Sequence, residues 1–143
     1  MELFDTNKIV GQTASAGFQI GVRRTLPISP EKAWAFLTSA EGLKLWIGNV
    51  KGISIEAGEA FQSAEGISGE LRIVKPQQQL RLKWSKPGWE KPSTLQIRLI
   101  SSHPEKTTVS FHQENLDHAA TREQMKLHWE AVLNEMLRKT KVN

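Results

Sequence analysis

Thr121-Arg122-Glu123-Gln124-Met125-Lys126-Leu127-His128-Trp129-Glu130-Ala131-Val132-Leu133-Asn134-Glu135-Met136-Leu137-Arg138-Lys139 is the one long helical pattern in this chain. Met125, Trp129, Val132, Leu133 and Met136 recur at helical spacing and form a single apolar stripe. At 1.5 Å per residue the helix is about 30 Å long, the width of a small domain. Such a face needs a large complementary surface. Nearly everything from Phe18 to Leu116 reads as short strands with one early helical break, so the surface is a curved antiparallel sheet wrapped around the helix. A cradle of this kind often encloses a cavity.

Working back from the helix, Val109 and Phe111 lie inward on the last strand with Gln113 on the same parity, and His103-Pro104-Glu105-Lys106 is the hairpin turn before it. Leu95, Ile97 and Leu99 make the preceding strand. Leu80, Leu82 and Trp84 alternate with Arg81, Lys83 and Ser85, the clearest half-buried strand in the chain. Between these two runs, Pro87-Gly88-Trp89-Glu90-Lys91-Pro92 is a breaker-rich loop. Lys75-Pro76-Gln77 is a turn after Leu71 and Ile73, Phe61 belongs to a strand of its own, and Ile53 with Ile55 makes the first strand of this meander.

Ahead of the meander, Ser29, Pro30 and Glu31 form a helix start: a capping hydroxyl, a proline in the first turn and an acid at the positive end of the dipole. This helix stops near Ser39, and a second short one through Trp46 ends at Gly48-Asn49. Phe18, Ile20, Val22 and Leu26 alternate on the first strand, where Arg24 falls on the buried parity. Residues 1–16 read as a loosely ordered arm and 17–143 as one domain. The order is strand, two short helices, six antiparallel strands and a long helix, an α+β helix-grip arrangement.

The composition narrows the function classes. The chain has 143 residues and no cysteine, so disulfides, thiolate nucleophiles and cysteine-ligated zinc are absent, which suits a cytoplasmic setting. No signal peptide and no apolar run near the ~20 residues of a membrane span are expected. The net charge of +4 comes from Lys and Arg interleaved with acids, a solvated surface and not a nucleic-acid interface. Five Trp supply rigid apolar area for a core or a pocket wall.

The candidate polar groups are few. A buried, unpaired Arg24 is prohibitive, so it either snorkels from the strand end or anchors a ligand carboxylate or phosphate. Gln113 either hydrogen-bonds the final helix or a buried water, or orients a ligand. His112 and Glu114, with His118 nearby, imitate a two-histidine, one-carboxylate set, but their parity puts them on the solvent side and no metal site is expected. His128 sits about 100° from Trp129 at the edge of the stripe, as a packing residue with one wet nitrogen or as a proton donor or base at a cavity rim. No Ser with a positioned His and acid stands out, and there is no glycine-rich phosphate loop, so no catalytic residue is assigned. Trp84 and Trp129 are placed on faces that meet between sheet and helix; Trp89 is a lid or a loop Trp tucked against the body.

These residues in this order resemble a START-like (SRPBCC) domain, and more narrowly the family of homologues of the ninety-kilodalton heat-shock protein ATPase activator. The resemblance rests on Arg24-Thr25-Leu26-Pro27-Ile28-Ser29-Pro30-Glu31-Lys32-Ala33-Trp34, on Gly42-Leu43-Lys44-Leu45-Trp46, and on Gly69-Glu70-Leu71 through Pro76 to Leu80 and Trp84. It continues through Thr108-Val109-Ser110-Phe111-His112-Gln113-Glu114-Asn115-Leu116 to Trp129 and Leu133, and so runs over 17–139. It implies a deep apolar cavity between sheet and final helix and, in the wider superfamily, lipid, sterol, flavonoid or polyketide ligands, some of which are cyclised or hydrolysed. The family often has Gly just before the final-helix Trp; here His128 puts a polar group there.

The expected function is binding of a small, largely hydrophobic ligand, a lipid or a polycyclic or aromatic metabolite, without cofactor or metal. Its contacts would be Arg24, Trp84, Val109, Phe111, Gln113, Met125, His128, Trp129, Val132 and Met136, supported by Phe18, Ile20, Leu71, Ile73, Leu82, Leu95 and Ile97. Two alternatives stand beside it: an interaction module for a chaperone partner, and a cyclase or hydrolase acting on a bound substrate. Monomer and homodimer are both open, the latter through a sheet edge or the arm.

Overall fold

The computed structural model describes residues 12–13 and 17–141. The chain runs β1 (Gln12–Thr13), β2 (Gly17–Leu26), α1 (Pro30–Leu37), α2 (Ala40–Trp46), β3 (Ala60–Gln62), β4 (Ser68–Lys75), β5 (Gln79–Ser85), β6 (Ser93–His103), β7 (Lys106–Leu116) and α3 (Ala119–Lys141). The strands form one antiparallel sheet in the order β1-β2-β7-β6-β5-β4-β3. β2 therefore pairs with β7, the last strand, and α3 lies across β2 while touching β7 and α2. This is the helix-grip α+β fold. The arm expected over 1–16 falls largely outside the described residues; its Gln12–Thr13 pair adds a short edge to β2.

Local chemistry sets the two short helices. Ser29 caps α1, its hydroxyl accepting from the Lys32 amide at 3.2 Å, with Pro30 and Glu31 in the first turn. Ser39 caps α2 by accepting from the Gly42 amide at 3.1 Å, while its own hydroxyl donates to the Phe36 carbonyl at 2.6 Å. The two helices meet so closely that a Cβ on Gly42 would stand 2.0 Å from the Phe36 oxygen. Only glycine fits this junction.

The alternating strands bury the parity that the sequence marks: Leu80, Leu82 and Trp84 on β5, Leu95, Ile97 and Leu99 on β6, Val109, Phe111 and Gln113 on β7. All five stripe residues of α3 are buried against them, each apolar side chain contributing about 2 kcal/mol. The structure departs from expectation at two places. Ile53 and Ile55 form no strand, lying between Gly52 and Gly58, whose φ angles are +61° and +95°. They pack on the core from a loop, which leaves five strands after the helices and not six. Ile73 does not face inward. A bulge between Leu71 and Ile73 shifts the register against β5, so Ile73 is 38% exposed on the outer face.

A buried polar chain locks helix to sheet. The Trp129 indole N–H donates to Gln113 Oε1 at 2.7 Å, Gln113 Nε2 donates to Ser93 Oγ at 2.8 Å, and the Ser93 hydroxyl donates to the Trp84 carbonyl at 2.7 Å. Gln113 and Ser93 have no exposed surface, so each bond is formed in a medium where an unmade one is costly. Gln113→Leu is expected to lower the unfolding free energy by about 2 kcal/mol, the cost of orphaning the Trp129 N–H. In a Trp129→Phe background the same change should cost distinctly less, because no donor is left behind. Urea denaturation of the four proteins measures both quantities.

Candidate functional site

The residues expected to line a cavity are brought together, and they occupy the space themselves. Trp84, Phe111, Gln113, Met125 and Trp129 have no exposed surface, and Val109, Val132 and Met136 are buried in the same core. The Trp84 and Trp129 rings meet edge to face with centroids 5.2 Å apart, and Phe111 lies 4.9 Å from Trp129. Trp84 and Trp129 thus fill the gap between sheet and helix at this level instead of walling an opening. Arg24 is half-buried and elsewhere: its Nε donates to Asn134 Oδ1 on α3 at 3.1 Å and its Nη1 to the Arg23 carbonyl at 2.8 Å. It ties β2 to the outer side of the helix.

Open space lies at the margin. A cleft of about 260 Å³ is lined by Lys44, Leu45, Trp46, Ile47, Gly48, Glu65, Ile67, Trp84 and His128. The end of α2 forms one wall, the loop between β3 and β4 another, β5 contributes Trp84 and α3 contributes His128. The loop is held against the α2 end by a specific contact: Glu65 Oε1 accepts from the Asn49 amide at 2.9 Å. That bond, first among several, holds the Glu65 carboxyl below its ordinary range. The approach requires Gly48, whose φ is +122° and whose Cβ would stand 2.2 Å from Glu65 Oε1. Ser63 Oγ accepts from the Ile67 amide at 3.1 Å and closes the loop.

His128 lines this cleft from α3, beside the charged groups of Lys44 and Glu65. Its ring stands edge to face on Trp129, centroids 4.5 Å apart, and 5.9 Å from Trp84. Nε2 is shielded from water and has no hydrogen-bond partner. Burial, reinforced by the charge of Lys86, lowers the imidazole pKa to about 4, so the ring is neutral at pH 7. Among the described residues no acid is hydrogen-bonded to Nε2 of the ring.

A second depression, of about 380 Å³, is bordered by Gly17, Trp89, Glu90, Lys91, Asn115, Leu116, Asp117 and Thr121. Trp89 is half-buried and tucked edge-on against Trp84 at 5.6 Å. The outer-face residues have ordinary partners: His112 bonds Gln19 at 2.9 Å, Glu114 lies 3.7 Å from Arg81, and His118 lies 3.8 Å from Asp117. Among the described residues no three His, Asp or Glu side chains are grouped to hold a metal. None of the helices described is long and apolar enough to cross a membrane.

Sequence reasoning found Trp84 and His128 but not Lys44, Leu45, Ile47, Glu65 or Ile67 as a site. These come from segments far apart in the chain, and the only local signal was the pair of glycines, Gly48 and Gly66, that lets the two loops meet.

The family model described as "Activator of Hsp90 ATPase homolog 1-like protein" matches residues 27–140. No curated protein matches. Among solved structures, the chain is similar to DynU16, a protein of the dynemicin biosynthetic locus, with TM-score 0.76 and 18% identity over 87% of this chain. It spans only 47% of that longer chain. It is also similar to the Aha1 dimer from Colwellia psychrerythraea solved in solution, with TM-score 0.73 and 19% identity, covering 87% of this chain and 96% of that one. An HSP90 activator from Plasmodium falciparum follows, with TM-score 0.68 and 21% identity, covering 79% and 88%. Likeness at these identities is likeness of fold.

The depressed His128 pKa has a sign that can be checked. Between about pH 6.5 and about pH 4 the unfolded chain binds the proton and the folded chain does not, so this group makes stability fall as pH drops through that window and leaves it level above. The His128 ring resonances in NMR are expected to stay near their neutral positions down to about pH 5, and His128→Phe should flatten that part of the stability profile. Titration near pH 6.5 would contradict the buried placement.

Proposed function

The chain belongs to the activator of Hsp90 ATPase homolog 1-like family, and on that premise we propose that it binds a small, largely apolar ligand in the cleft between α2 and α3. The cleft carries this reading: about 260 Å³ with Leu45, Trp46, Ile47, Ile67 and Trp84 as apolar lining, polar groups at Lys44 and Glu65, and the His128 ring at one side. Few polar groups in an apolar concavity is the usual design of a small-molecule site. The volume suits one or two rings, or the end of a longer molecule, and the aromatic lining favours a planar ligand. Burial of its apolar surface at ~25 cal/mol per Å² drives association. The chain's similarity in fold to DynU16 and to the START-like class supports ligand binding only at the level of fold.

A second reading, a protein-interaction module, is favoured by two observations. The Trp84, Phe111 and Trp129 rings fill the interior, and Leu127 on α3 is 68% exposed next to His128. The relatives named as an HSP90 activator and an Aha1 dimer support a chaperone or a second copy as the partner class.

Ile67 is half-buried at the cleft wall, so Ile67→Trp fills the space from the loop without entering the core. Titration of the wild type with 2-methoxynaphthalene, followed by calorimetry, is expected to give saturable one-site binding that Ile67→Trp weakens at least tenfold, with unfolding free energy changed by less than about 1 kcal/mol. Absence of binding by the wild type would transfer support to the interaction module.

A further inference from the structure

The outer face of the sheet, turned away from α3, gathers cations that lie scattered along the chain. Lys75 pairs in register with Gln79, Gln79 with Arg98, Arg98 with Ser110, and Ser110 with Arg23. These residues form one row across β4, β5, β6, β7 and β2, on the parity opposite the buried Leu80, Ile97, Val109 and Phe111. With neighbouring strands about 4.8 Å apart, Lys75, Arg98 and Arg23 stand about 10 Å from one another along it. Arg81 and Lys83 on β5 and Arg72 at the β4 bulge extend the positive field beside the row. A depression of about 340 Å³ lies there, bordered by Arg72, Ile73, Arg81, Lys83 and Thr94. Glu70 and Glu114 on the same face engage Arg72 and Arg81, each at 3.7 Å. Arg23, Lys75 and Arg98 are exposed, and among the described residues no carboxylate lies within ion-pair distance of them. Two apolar side chains flank the row. Ile73, 38% exposed, is two residues from Lys75, and Ile100, 42% exposed, is two residues from Arg98.

We propose that this face docks a short acidic segment of another protein, with carboxylates on the row of Lys75, Arg98 and Arg23 and an aliphatic side chain against Ile73 or Ile100. Arg98 and Arg23 suit carboxylates, because a planar guanidinium can take one through two parallel hydrogen bonds. Other anionic or like partners match less well. Single-stranded nucleic acid needs aromatic platforms for its bases, and the outer positions of this row and its flanks carry none. An anionic bilayer needs apolar side chains that protrude, whereas both isoleucines are more than half covered. A second copy placed by a twofold axis would bring two positive faces together. The inference does not rest on the cleft reading, since the cleft opens among the helices on the other side of the sheet. Its partner is a protein, as in the second reading, but the surface is not that of Leu127.

The test uses the full chain and a fluorescein-labelled peptide, Asp-Glu-Leu-Asp-Glu-Leu-Asp-Glu, beside its amide analogue Asn-Gln-Leu-Asn-Gln-Leu-Asn-Gln, followed by fluorescence polarisation. The acidic peptide is expected to bind saturably, more weakly as salt is raised, and the amide analogue roughly tenfold more weakly. Combining Arg23→Glu with Arg98→Glu should weaken the acidic peptide roughly tenfold, because attraction is lost and like charge is introduced. Lys32→Glu with Lys141→Glu makes the same change in net charge at exposed positions of α1 and α3, and should move the affinity by less than about twofold. Unaltered thermal unfolding shows that each variant is folded. No binding by the wild type, equal binding of the two peptides, or equal weakening by the two pairs of substitutions overturns the docking row and leaves the cleft and Leu127 untouched. Tighter binding of phosphatidylglycerol vesicles or of oligothymidylate than of the acidic peptide, with the same dependence on Arg23 and Arg98, overturns the choice of partner.

Discussion

The hydrogen bond from the Trp129 indole to Gln113 is the contact on which the rest of the architecture depends. A long helix can seat its apolar stripe on a curved sheet in several rotations and offsets, because dispersion and burial are not directional. One directional bond with no exposed surface removes that freedom. It also begins a continuous polar path: Gln113 to Ser93, Ser93 to the Trp84 carbonyl, the Trp84 indole to the Trp46 carbonyl, and the Trp46 indole to the Leu37 carbonyl. The path passes from α3 through β7, β6 and β5 to α2 and α1. Three indole N–H groups thus work as fasteners, each satisfied by an element other than its own.

The filled interior decides where the proposed ligand would sit. Fastening Trp84 and Trp129 in place presses their rings together and fills the middle of the grip, so the space available to a guest shifts to the end of the polar path, where α2, the β3–β4 loop and α3 converge. Two of the fastened indoles line that cleft, which makes its walls stiff. A preformed site loses little entropy on binding. His128 is the exception within this satisfied network, and its depressed pKa and its unpartnered nitrogen have one origin: burial in a cluster that offers it no donor.

The fold was largely legible in the sequence because its signals are local and periodic. The helical stripe, the alternation on β5 to β7, Ser29 with Pro30, and the turn at Pro104-Glu105 each reflect a short-range rule, and each element lies where its rule puts it. Gln113 had two open readings, and a partner 16 residues away decides for the helix bond. Arg24 lay on the inward parity by counting, but near the end of β2 that face runs past the flank of α3, and the guanidinium reaches Asn134. Ile73 was misplaced because a bulge changes parity without a mark in composition. Ile53 and Ile55 have strand-like side chains without a ladder partner, which no local pattern reveals. The cleft was illegible for a different reason. It is assembled from four segments brought together by tertiary contacts, and Glu65 acquires its role only through the Asn49 amide.

The indole N–H resonances of the five Trp, followed by NMR while 2-methoxynaphthalene is added, test the account most directly, since they separate the core from the margin. The account predicts that the Trp84 and Trp46 signals shift, while the Trp129 indole and the Gln113 side-chain amide stay fixed and protected from exchange with solvent. Large shifts or loss of protection at Trp129 and Gln113 would show a guest entering between sheet and helix and would contradict a filled interior held by that bond.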